Sequence, residues 1–135
     1  MITFKTFGVD KLETVKGLYK EANWTSYLSD DEKLARAFKN SLWILGAFDN
    51  DQLIGVVRCV GDGEHILLVQ DLIVATAYQR QGIGTTLLKQ VWKTFSHVRM
   101  IQLNTDLYDE KANNFYKAFG MKPLAEGQMI SYFRH

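Results

Sequence analysis

The run HILLVQDLIV, His65 to Val74, restricts the fold more than any other stretch. It is apolar almost throughout over one strand's length, so neither of its faces can be left in water. A chain that contains it must cover a sheet on both sides. Directly after it comes AYQRQGIGTTLLKQVW, Ala77 to Trp92, which opens a helix carrying Ile83, Leu87, Leu88, Val91, Trp92 and Phe95 on one apolar face. The unit predicted is a buried strand that runs into a helix. Its joint holds Gly82 and Gly84, each costing roughly 1 kcal/mol against alanine in a helix. Something needs the backbone bare there.

The remaining elements follow from period and punctuation. Ile2, Phe4 and Thr6 alternate as a first strand. Asp10, with Glu13 three residues on, predicts a capped helix through KLETVKGLYKEA, and SDDE at Ser29 to Glu32 predicts a second by the capping-box pattern. LWILGAF and LIGVVRCV flank Asp49-Asn50-Asp51 as a hairpin, and GDGE turns the chain into the buried run. VRMIQLNT reads as a strand, DEKANNFYKAFG as a short helix ending at Gly120, and MKPLA and QMISYFRH as two closing strands. The order is β-α-α-β-β-β-α-β-α-β-β. That is a mixed α/β sheet, without the strict alternation of a doubly wound fold.

The totals exclude several classes. A chain of 135 residues without a linker or repeat is read as one domain, 1–135, large enough to bury a core. Its net charge of +1 gives no field toward nucleic acid or membrane, and neither is expected as a partner. One cysteine, Cys59, forms no internal disulfide and suits a reducing compartment, so a cytoplasmic protein is expected. The three histidines have no ligand spacing, and no metal is expected.

Glycines at a helix start let an anion approach N–H groups that lack intrahelical partners. Two familiar versions fail here. The P-loop needs Lys-Ser/Thr after its second glycine, where Thr85-Thr86 stand; the dinucleotide pattern needs a third glycine, where Leu87 stands. On the pair alone, a close helix–strand contact explains the glycines equally well. QRQGIG, Gln79 to Gly84, however, resembles the Q/R-x-x-G-x-G/A motif of the GNAT acetyltransferase superfamily, in its place after the strand as well as in its letters. ANNFYKAFGM resembles the same family's A-x-x-x-Y-x-x-x-G-F helix through Ala112, Tyr116 and Gly120, with Met121 for the usual Phe and Asp109 for a frequent Asn. The element order agrees over essentially the whole chain. IGVVRCVGDGEHILLVQDLIV and the terminal FRH look like small bacterial members of undefined acceptor, and the acid in the run and the ending are also similar to plant amine acetyltransferases.

The resemblance implies acetyl-CoA as acyl donor. Its pyrophosphate would take backbone donors from Gln81, Gly82, Ile83, Gly84, Thr85 and Thr86, with Arg80 near a phosphate charge and Gln79 opening the motif. Leu72, Ile73 and Val74 would pair with the pantetheine arm beside a bulge that splays two strands, and Asn113 would add a contact. Family members are often dimers, so a homodimer is an assembly open to the chain.

Acetyl transfer to an amine needs a proton acceptor for the amine and a proton donor for the thiolate. Tyr116 is the candidate acid by the motif match; spacing alone, an aromatic on an amphipathic helix, would read as core. Asp71, an acid in an apolar strand beside the pantetheine segment, is the first choice of base. A structural hydrogen-bonding role fits it as well. Glu64 and His65 are alternatives acting through water. Cys59 reads as a buried small hydrophobe rather than an acetyl carrier. Trp24, Tyr27 and Trp43 are candidates for an acceptor pocket, with Trp43 the one better placed in the core. The expected function is direct acetyl transfer from acetyl-CoA to a primary amine of a small molecule, peptide or protein. A CoA-binding sensor or interaction module is the alternative.

Overall fold

The computed structural model describes residues 1–134. Two units are treated separately, Met1–Leu103 and the residues from Asn104 on. The first contains strand β1 (Ile2–Thr6), helices α1 (Leu12–Glu21) and α2 (Asp31–Lys39), strands β2 (Trp43–Asp49), β3 (Gln52–Gly61) and β4 (Ile66–Val74), helix α3 (Ile83–Thr94) and strand β5 (Met100–Leu103). The sheet runs β1-β2-β3-β4-β5, antiparallel until the parallel β4–β5 pair. It is the mixed α/β architecture expected, and the buried run is β4.

Each face of the sheet has its own cover. Val15, Leu18 and Tyr19 of α1 and Leu34 and Phe38 of α2 bury against Ile44, Phe48, Leu53, Val56 and Ile73. By strand alternation Leu45, Ala47, Val57 and Cys59 point to the opposite face, where α3 lies against β2, β3 and β4. Ile83, Leu87, Leu88 and Val91 are its buried stripe. Each such side chain is worth about 1.5–3 kcal/mol when taken fully out of water.

Two helix starts differ from expectation. Asp10 bonds the Gly8 N–H at 3.1 Å within a turn of 3₁₀ helix, and α1 begins at Leu12 without a side-chain cap. Asp30, not Ser29, caps α2 by accepting from the Lys33 N–H at 3.1 Å. With two cap formers in succession, the one whose carboxylate reaches N3 wins.

β4 contains a bulge. Arg58 pairs with Asp71 but Cys59 pairs with Val69, so Gln70 is the extra residue, and it is exposed. A slip of one residue moves every following side chain to the other face. Val69, opposite Cys59, faces α3; Asp71 and Ile73 consequently face α1 and α2.

The second unit contains α4 (Glu110–Phe119), capped by Asp109 through the Ala112 N–H at 3.0 Å and closed by Gly120 at φ 110°. The two closing strands are a correction. Residues 121–123 have no regular structure, Leu124–Gly127 forms a 3₁₀ turn, and 128–134 pairs with no strand among the described residues. Pro123 at the turn's N-cap has no N–H to give a ladder, and Gln128 at φ 60° turns the backbone away from an extended path. His135, the last residue of the expected strand, lies outside the described residues.

Candidate active site

The strand–turn–helix joint answers what one of its glycines is for. Gly82 is the N-cap of α3 at φ 79°, in the left-handed region that costs an L side chain roughly 1–2 kcal/mol. A Cβ placed there would meet no atom within 4 Å, so helix–strand crowding does not explain Gly82. Arg80 at φ 64° shares the tight turn, and its side chain is exposed. Gln79 braces the loop by giving its Nε2 hydrogen to the Val74 carbonyl at 3.0 Å.

No side chain caps α3, and its first turn contains no acid. By helix geometry the N–H groups of Ile83, Gly84 and Thr85 have no intrahelical acceptor. Thr86 differs from the expectation made for it: its N–H and its Oγ1 both donate to the Gly82 carbonyl, at 3.0 and 2.9 Å. The donors facing outward are one fewer, and no acidic side chain of the first turn offsets the macrodipole's positive end.

Beside this turn, β4 outruns its neighbour. Its pairing with β5 stops at Val69–Leu103, while β4 continues to Val74. On the side away from β3, residues 70–74 therefore have no partner strand among the described residues. Leu72 and Val74 are half-buried there; the Ile73 side chain belongs to the core, and by alternation from the Ala75 N–H bond to the Ile54 carbonyl its backbone faces β3.

On the α1/α2 face, Asp71 sits in a closed network. Its Oδ2 accepts from Arg58 Nε at 2.6 Å and from Tyr19 Oη at 2.7 Å, and its Oδ1 accepts from Tyr27 Oη at 2.8 Å. Arg58 also donates through Nη1 to Ser41 Oγ at 3.1 Å, and its guanidinium lies 5.3 Å from the Phe38 ring centre. Asp71 is 1% exposed and Arg58 4%. Burial works against the Arg58 charge, but Asp71 outweighs it and holds the guanidinium's pKa above its usual value. Burial first, then the Asp71 charge, pushes the Tyr19 phenol far above its ordinary range and Tyr27 upward as well. A base must touch the proton it takes, and no Asp71 oxygen faces solvent. Direct abstraction by Asp71 is therefore excluded by geometry, and only an indirect route remains.

The other candidates separate. Glu64 and His65 are exposed at the far end of β4, roughly 20 Å along the strand from Asp71. Burial pushes the Cys59 thiol up to about 12, which leaves no thiolate to carry an acetyl group. Trp24 and Tyr27 gather with Tyr19 in an aromatic cluster, ring centres 4.5–6.4 Å apart. Trp43 lies elsewhere, edge-on to Phe95 at 5.4 Å. Arg58 and Tyr19 were not singled out from sequence. An arginine amid the apolar strand LIGVVRCV was the available signal, since a buried charge requires a partner.

Within the second unit, Tyr116 is half-buried, edge-on to Phe115 at 5.2 Å. Burial, with a smaller push from Asp109, raises its phenol above the ordinary value of 10.0. It is a neutral donor throughout the physiological range. Asn113 spends its Nδ2 hydrogens on the Asp106 and Asp109 carbonyls, at 3.0 and 2.8 Å, which leaves its Oδ1 for any ligand. Among the described residues, no three His, Cys, Asp or Glu side chains gather where they could hold a metal ion.

Comparison with known proteins gives the class, then the family. The chain is similar to a GNAT-family acetyltransferase from Streptococcus pneumoniae, at 38% identity and a TM-score of 0.87, over 100% of this chain and 98% of that one. The class is acyltransferase. Residues 10–121 match the acetyltransferase (GNAT) family model, and the chain belongs to that family. The Glycine max protein named histone acetyltransferase TAP1 is 31% identical over 106 residues, 70% of this chain and 46% of that protein. The chain thus spans less than half the length of that relative. PaiA N-acetyltransferase of Thermoplasma acidophilum, solved in complex with coenzyme A, shares the fold at a TM-score of 0.74 and 21% identity, over 90% of each chain.

The Arg58–Asp71 pair predicts a strongly coupled stability. Arg58→Met leaves an unpaired buried carboxylate and should cost about 3–5 kcal/mol in urea unfolding, and Asp71→Leu, which leaves an unpaired buried guanidinium, should cost a similar amount. The double variant should recover most of that loss. Additive losses would show that the two side chains do not act as a pair.

Proposed function

We propose that this chain is an acetyl-CoA-dependent N-acetyltransferase that moves an acetyl group directly onto a primary amine of a small molecule, peptide or protein. The observation that carries the reading is the start of α3: an uncapped, acid-free helix N-terminus on a left-handed glycine, beside β4 backbone without a strand partner. Anionic phosphates suit the first feature. An extended amide-bearing arm suits the second, since the Leu72 backbone and the Val74 N–H offer ladder-type hydrogen bonds there. In this reading Gln81, Gly82, Ile83, Gly84 and Thr85 hold the pyrophosphate, Arg80 adds charge at the rim, and Asn113 contributes through its carbonyl oxygen. Both units belong to one catalytic domain, 1–135. The buried, unpaired Cys59 suits the reducing cytoplasm we assign to it.

Tyr116 is the general acid of this reading. Its raised phenol keeps its proton at working pH and can yield it to a departing thiolate. Asp71 is the final proton acceptor for the amine, reached indirectly. Release of free thiol from acetyl-CoA with a panel of amines separates this function from a module that binds CoA without turnover.

Gly84→Glu sets bulk and negative charge among the proposed phosphate donors. Acetyl-CoA affinity by calorimetry should fall beyond detection while circular dichroism stays native; retained affinity in a folded variant would refute the assignment. Tyr116→Phe removes one proton and keeps the ring, so kcat should drop about 10²–10⁴-fold with acetyl-CoA affinity unchanged. Full activity would return Tyr116 to a packing role.

A further inference from the structure

Tyr27 is the half-buried member of the Asp71 network, at the end of a 3₁₀ turn (Thr25–Tyr27) between α1 and α2. Its hydroxyl hydrogen is committed inward, to Asp71 Oδ1 at 2.8 Å. Its oxygen is therefore left to accept, and the groups on it are donors. Gln70 Nε2 approaches at 3.0 Å and Arg58 Nη2 more distantly at 3.4 Å. Gln70 is the exposed bulge residue, so the Tyr27 oxygen already receives an N–H hydrogen bond at the solvent edge of the network. An amine N–H makes the same kind of bond.

The two Asp71 oxygens are unequally loaded. Oδ2 carries both Arg58 and Tyr19, at 2.6 and 2.7 Å, whereas Oδ1 carries Tyr27 alone. The oxygen with room for a proton is the one that Tyr27 faces. Resting on the N-acetyltransferase reading above, we infer that Tyr27 is a further catalytic residue, the group that takes the acceptor amine's proton and relays it to Asp71. The bound ammonium loses one N–H bond as an O–H bond forms at Tyr27 Oη, and the lone pair so freed bonds to the acetyl carbonyl carbon; the second excess N–H proton leaves to solvent as the amide forms. The original Tyr27 O–H bond breaks in the same movement, and its proton goes to Asp71 Oδ1. The C–S bond breaks, and the thiolate takes a proton from Tyr116. After release, Asp71 returns its proton to solvent by the reverse path, and Tyr116 regains one.

The titratable and charged groups facing Tyr27 are Asp71 on β4, Arg58 on β3 and Tyr19 on α1. Asp71 and Arg58 neutralise each other, so the site binds an N–H donor without a net charge to trap the ammonium form. Burial and the Asp71 charge both raise the Tyr27 phenol, which keeps it protonated and able to relay rather than ionised.

The test is Tyr27→Phe, which keeps the ring against Tyr19 and removes the relay atom. The expected result is a fall in kcat/KM for the amine of about 10²–10⁴-fold with unchanged acetyl-CoA affinity. The acidic limb of the pH–rate profile should move up to the amine's own pKa, and added imidazole should restore part of the rate. Wild-type rate and profile in Tyr27→Phe would overturn the relay and leave the acetyltransferase reading standing. If Tyr27→Phe does not fold, Tyr27→His, which can still shuttle a proton, should retain an acidic limb set below the amine's pKa, and a limb at the amine's pKa would overturn the relay. A folded wild-type chain that binds acetyl-CoA and acetylates no amine would overturn both.

Discussion

The Arg58–Asp71 ion pair is the interaction on which the arrangement of this chain's first unit depends. A carboxylate and a guanidinium buried on adjacent strands are tolerable only together, each in reach of the other and of further hydrogen-bonding partners. Meeting that condition fixes the register of β3 against β4, and the register requires the bulge at Gln70. Without the extra residue, Asp71 would point into the apolar layer under α3, away from Arg58, Tyr19 and Tyr27. With it, Asp71 reaches Tyr19 of α1 and Tyr27 of the following turn, while Arg58 reaches Ser41 after α2. One pair thus ties two strands to the helical layer above them.

The bulge also links that network to the donor side. β4 pairs with β5 only as far as Val69, the residue before the bulge, and beyond it β4 has no partner strand on that side among the described residues. A polar network on one face and an unpaired backbone edge therefore begin at the same residue. Below this point the sheet is an ordinary two-face core; above it, one edge of β4 has no partner strand among the described residues. The uncapped start of α3 follows nine residues after Val74, with Gln79 holding the intervening loop to the strand it left.

Much of this was legible in the sequence where periodicity and punctuation agree. The buried run, the Asn50 hairpin, the apolar stripe of α3 and the Gly120 end of α4 depend on local chemistry and lie where they were expected. The family followed from two spaced motifs. The bulge could not be read from burial pattern: Leu67, Val69, Asp71 and Ile73 alternate without interruption, although the first two and the last two face opposite layers. In a strand buried on both sides, hydrophobicity does not reveal which face a residue takes. The partners of Asp71 were hidden for a related reason, because Tyr19 and Arg58 come from elements 52 and 13 residues away and meet it only through register. The closing strands failed where apolar alternation outvoted Pro123 and the left-handed Gln128. Asp109, which departs from the family's asparagine, caps α4, a local role that its residue type predicts.

The most direct test of the account is a nitrogen-15 NMR titration of the wild-type chain with coenzyme A, following backbone amides. If the start of α3 is the phosphate cradle, the amide resonances of Ile83, Gly84 and Thr85 should shift most, with those of Leu72 to Val74 next. The amides of Asp31 to Lys33 at the Asp30-capped start of α2 should hardly move. Saturable binding that leaves Ile83 to Thr85 unshifted would contradict it.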